Sequence, residues 1–72
     1  MTLGSFTVDN KQINVSTDYN QVDGMVYRFI LAATKQQIAV TNYRGIDVTD
    51  DRFSKEDLQR GLNVVRRQAA RR

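Results

Sequence analysis

Apolar side chains recur at every second position through much of the first fifty residues, and at every third or fourth position after them. Period two marks strands with one buried face, and a period near 3.6 marks a helix packed along one stripe. Phe6 and Val8 alternate with Thr7 and Asp9, and Ile13, Val15 and Thr17 alternate with Asn14 and Ser16. A two-residue turn at Asn10-Lys11 would set Val8 opposite Ile13 and Phe6 opposite Val15, so that all four share a face. Strands are therefore expected over residues 4–9 and 12–18. Asp23-Gly24 is a turn signal. Beyond it, strands are expected over residues 25–34 and 37–43, with Lys35-Gln36 as the turn, Ala33 opposite Ile38 and Leu31 opposite Val40. Ile46-Asp47-Val48 suits a short fifth strand or an extended lead-in, and the expected sheet is counted at four strands.

Residues 25–34 are apolar on both parities, unlike a strand with one wet face. Met25, Tyr27, Phe29 and Leu31 are assigned to the core, which makes Tyr27 and Phe29 packing residues rather than a base-stacking platform. Val26, Arg28, Ile30 and Ala32 then point the other way. The expected pairing adds Ala39, Thr41 and Tyr43 to that second face.

A helix is expected over residues 54–70. Ser54 as N-cap with Asp57 three residues on forms a capping box, and Phe53 with Leu58 forms the hydrophobic staple. Glu56 and Asp57 complement the positive end of the helix dipole. Leu58, Leu62, Val65 and Ala69 make one stripe with Gly61 and Val64 beside it, while Arg60, Asn63 and Arg67 lie opposite. Gly61 weakens the helix by ~1 kcal/mol relative to Ala, so it marks close approach of helix to sheet. The expected fold is α+β: an antiparallel four-stranded sheet of hairpins with one C-terminal helix on one face, all in a single small domain over 1–72.

A helix covers only one sheet face, so Val26, Arg28, Ile30, Ala32, Ala39, Thr41 and Tyr43 form an expected partner surface. A chain of 72 residues has a thin stability margin. It contains no Cys and no His, so disulfides, Cys/His zinc sites and nucleophiles activated by histidine are excluded. Self-association, most simply as a homodimer, is the remaining means of reinforcement.

Charge adds a second candidate surface. Residues 1–53 hold five bases and six acids, whereas residues 54–72 hold six bases and two acids. Arg60, Arg66, Arg67, Arg71 and Arg72 follow one another with no acid between them. Such a run can neutralise nucleic-acid phosphates, or can simply complement the helix C-terminus and remain solvated. The acids Asp47, Asp50 and Asp51 do not make a calcium loop, because the twelfth position from Asp47 is Leu58 rather than Glu. The four glycines are isolated, so there is no phosphate-cradling loop. No catalytic residue, cofactor or metal is expected.

The longest apolar run, residues 29–33, is too short for a membrane span, and the N-terminus lacks the basic start of a secretory signal. A cytoplasmic protein of the small bacterial or phage kind is expected. Its leading expected role is a non-enzymatic, self-associating interaction or regulatory module. The alternatives are nucleic-acid binding through the arginines, and an inhibitor or adaptor docking on a larger protein.

Overall fold

The computed structural model describes residues 2–71. Five strands, β1 (Thr2–Val8), β2 (Lys11–Asn20), β3 (Gly24–Leu31), β4 (Gln37–Asn42) and β5 (Gly45–Val48), precede helix α1 (Lys55–Ala70). The strands form one antiparallel meander in the order β1-β2-β3-β4-β5. The chain is thus α+β with a C-terminal helix, and the expected four strands become five because Gly45–Val48 pairs fully with β4.

Helix α1 lies mainly along β1 and more lightly on β5, the two outermost strands. A flat five-stranded sheet would hold those strands roughly 19 Å apart, too far for one helix to flank both, so the sheet curls and α1 closes the gap. The enclosed core comprises Ile13, Val15, Phe29, Leu31, Ile38, Ala39 and Ile46 from the sheet, Phe53 from the connection, and Leu58, Leu62 and Val65 from the helix. Phe6 packs edge-on against Phe29, with centroids 6.1 Å apart.

Two registers depart from expectation, with opposite consequences. The first turn sits at Asp9-Asn10, where both residues adopt positive φ (49° and 65°). Short polar side chains tolerate that conformation, and a type I′ turn requires it twice. Pairing therefore slides by two residues: Phe6 faces Ile13, and Gly4 faces Val15. An even slip keeps every side chain on its face.

The second departure is odd. Residues 32–36 form the β3–β4 connection, with Lys35 at φ 61° and its N–H donating to the Leu31 carbonyl. Val40 consequently faces Arg28 instead of Leu31, a displacement of three residues. Odd slips exchange the faces. Ala39 lies opposite Phe29 and Thr41 opposite Ile46, both on the core side, while Val40 faces outward with Arg28 and Asp47. A bulge at this point lets Ile38 and Ala39 both be fully buried.

Helix α1 begins as expected. Ser54 Oγ accepts the Asp57 N–H at 3.2 Å, and Leu58, Gly61, Leu62 and Val65 are buried.

Candidate nucleic-acid interface

The buried stripe of α1 fixes where its arginines point. At 3.6 residues per turn, Arg60, Val64, Arg67 and Arg71 fall within about 60° of one another, opposite Leu58, Leu62 and Val65. Gly61 and Gly4 hold the helix in that rotation. Phe6 lies directly beneath Gly61, and a Cβ on Gly4 would come 3.0 Å from Val65 Cγ1. Phe6 leaves no room for a Cβ at Gly61, and at Gly4 the Val65 side chain would have to give by a few tenths of an ångström.

Arg60, Arg66, Arg67 and Arg71 are all exposed. Arg60 lies 3.8 Å from Asp57, a long contact between two solvated groups, whereas Arg66, Arg67 and Arg71 make no ion pair among the described residues. Arg66 leaves the row and places its guanidinium 5.8 Å from the Tyr27 ring centroid. Arg72 lies outside the described residues. Among the described residues, no carboxylate therefore neutralises the positive charge on the C-terminal half of α1.

The expected partner face is differently built. Ala39 is buried in the core and Thr41 turns inward, its Oγ1 accepting the Tyr27 N–H at 2.8 Å. Tyr43 lies past the end of β4. Val26, Arg28, Ile30 and Ala32 remain outward, but Val26 is buried and Ile30 and Ala32 are half-buried. Arg28 crosses the middle of this strip, bonded to Asp18 on β2 at 2.8 Å and to Gln37 on β4 at 3.1 Å. Asn14, Ser16 and Asp18 share the surface, since they pair with Ile30, Arg28 and Val26. Of the seven residues expected on this face, the odd register moves Ala39 and Thr41 to the core side, and Arg28 with its partners divides the outward four.

An unexpected group lies at the opposite end of the sheet from the β1–β2 turn. Tyr19 pairs with Met25 and Thr17 with Tyr27, all on the concave side. Tyr43 follows β4 in the turn to β5, and its N–H donates to Asp23 in the neighbouring hairpin at 3.4 Å. Tyr19 and Tyr43 are each 72% exposed and Met25 63%. Arg44 lies against Tyr43, its guanidinium 5.3 Å from the ring centroid and its Nε donating to the hydroxyl. All three tyrosines thus gather at one end, two of them beside arginines. The sequence signal is the alternation Thr17, Tyr19, which continues β2 to Asn20, past the strand end expected at residue 18.

The acidic residues are dispersed or engaged. Asp50 receives Arg52 through both carboxylate oxygens at 2.7–3.2 Å. That side-chain bonding, then the Arg52 N–H, holds its carboxyl below the ordinary range. Asp18 is likewise lowered, first by the Tyr19 N–H and then by Arg28. Asp47 points outward from β5. No helix among the described residues is long and apolar enough to cross a membrane.

No family model, curated protein or solved structure matches the chain.

Proposed function

We propose that this chain is a small non-enzymatic module that binds nucleic acid through the outward face of α1, with Arg60, Arg67 and Arg71 neutralising phosphates. The observation that supports this best is the row itself: exposed guanidiniums on one helix face, turned away from the core, with no Asp or Glu after Asp57. Each guanidinium offers a planar fork of donors suited to phosphate oxygens. Contacts of this kind fix position on the backbone and carry no sequence information. The expected binding is therefore unselective and salt-sensitive.

The test is binding of a labelled oligonucleotide at about 50 mM salt, followed by fluorescence anisotropy. Simultaneous Arg60→Gln, Arg67→Gln and Arg71→Gln should abolish it while the circular dichroism spectrum stays unchanged. Full binding by that variant would eliminate the helix face as the site.

Self-association through the outer sheet face is the second reading, supported by the half-buried Ile30, Ala32 and Val40 around Arg28. A specific interface buries about 800 Å² on each partner, and this divided strip offers little of that. Sedimentation separates the alternatives. A dimer that dissociates on Ile30→Asp would favour self-association, and a monomer would leave the strip to an inhibitor- or adaptor-type contact.

A further inference from the structure

We propose that the tyrosine-bearing end of the curled sheet is a stacking platform for single-stranded nucleic acid, with Arg44 and Arg66 beside its rings. This rests on the nucleic-acid reading of α1 and narrows it to unpaired bases. Tyr19 and Met25 pair across β2 and β3, Tyr27 lies one step behind on the same concave side, and Tyr43 sits in the β4–β5 turn beside the β2–β3 hairpin. Tyr19 and Tyr43 are among the most exposed large apolar side chains in the chain.

The helix runs toward this same end. Val65 packs over Gly4, which is level with Val15 and Phe29, and the next residue, Arg66, reaches Tyr27. The last turn of α1, with Arg67 and Arg71, therefore continues toward these tyrosines. Exposed aromatic rings with guanidiniums beside them suit bases on the rings and phosphates on the cations. Among the described residues, the two aspartates at this end are engaged: Asp18 with Arg28, and Asp23 with the Tyr43 N–H and the Asn20 side chain. Duplex bases are stacked on each other and present no free faces, so duplex can use only the arginine row.

The chain has three tyrosines and no tryptophan, so its intrinsic emission reports these rings directly. The protein is titrated with a short oligothymidylate and, separately, with a duplex of equal length. The single strand should quench tyrosine emission and the duplex should not. Tyr19→Leu and Tyr43→Leu should each weaken single-strand binding about ten-fold, with duplex binding and circular dichroism unchanged. Equal quenching by duplex, or unchanged single-strand affinity in both variants, would overturn the platform and leave the helix proposal standing. Single-strand binding that survives the triple arginine substitution but fails in the tyrosine variants would overturn the helix proposal and retain the platform. If neither oligonucleotide binds at about 50 mM salt, and emission changes instead with protein concentration, these tyrosines form a protein contact and the platform is overturned.

Discussion

Gly61→Ala should destabilise this protein even though alanine is the better helix former. Helix propensity alone favours the substitution by about 1 kcal/mol. The new Cβ, however, would lie 2.6 Å from Phe6 Cγ and closer still to Cδ2 and Cε2. Carbon atoms rest about 3.5–4.0 Å apart, so the ring or the helix must move by about 1 Å. Phe6 is held on β1 and packs edge-on against Phe29, so displacement costs both. Overpacking of this kind costs about 1–3 kcal/mol, and a lost aromatic edge contact about 0.5–1.5 kcal/mol. After subtracting the propensity gain, a net loss of about 1–3 kcal/mol is expected. In a domain this small that lowers Tm by about 5–20 °C. Thermal and urea unfolding followed by circular dichroism measure it, and Phe6→Leu in the same chain should recover part of the loss. If Gly61→Ala instead stabilises by about 1 kcal/mol, Phe6 does not lie under the helix. The helix rotation that aims Arg60, Arg67 and Arg71 outward would then be wrong as well.

Leu62→Ala should cost about 2–5 kcal/mol and Asn63→Ala almost nothing, since Leu62 is buried and Asn63 exposed; equal losses in urea titration would contradict the helix face. Leu31→Asp should unfold the chain whereas Ile30→Asp should leave its circular dichroism spectrum intact, because the two residues lie on opposite sheet faces. Stability should hold above about pH 5 and fall below about pH 4: carboxyls with lowered folded pKa values stabilise above the unfolded value near 3.9 and lose that contribution as pH falls from there through the lower folded value. Asp18→Asn should shrink this acid loss, and an unchanged acid limb would show that the Tyr19 N–H and Arg28 do not hold that carboxyl down. Nucleic-acid affinity should stay flat between about pH 5.5 and 8, because arginine does not titrate there and the chain has no histidine; a steep change would point to another contact.

The helix was the most legible element, because its start is specified by local chemistry. Ser54, Asp57, Phe53 and Leu58 each carry a cap or staple signal, and the buried stripe follows from spacing alone. Strand existence was legible for the same reason, since alternation is local. Register was not. Asp9-Asn10 and Asn10-Lys11 both fit a two-residue turn, and that error was harmless only because it was even. At the β3–β4 connection, Ala32 and Ala33 continue the apolar run and favour a longer strand. The connection instead begins at Ala32, and its odd length moved Ala39 and Thr41 across the sheet. The arginine row was readable from residue spacing. The tyrosine group was not, because it depends on how strands with polar ends pair.

The most direct test of the proposed interface is the slope of log affinity against log salt for a single-stranded oligonucleotide, from about 50 to 200 mM. Each phosphate contact contributes about 0.7 to that slope on a single strand. Arg67→Gln with Arg71→Gln removes two exposed guanidiniums without touching the core, so the slope should become shallower by about 1.4. Parallel lines for the wild type and the double variant would mean that these arginines contact no phosphate, and the outward face of α1 would not be the binding surface.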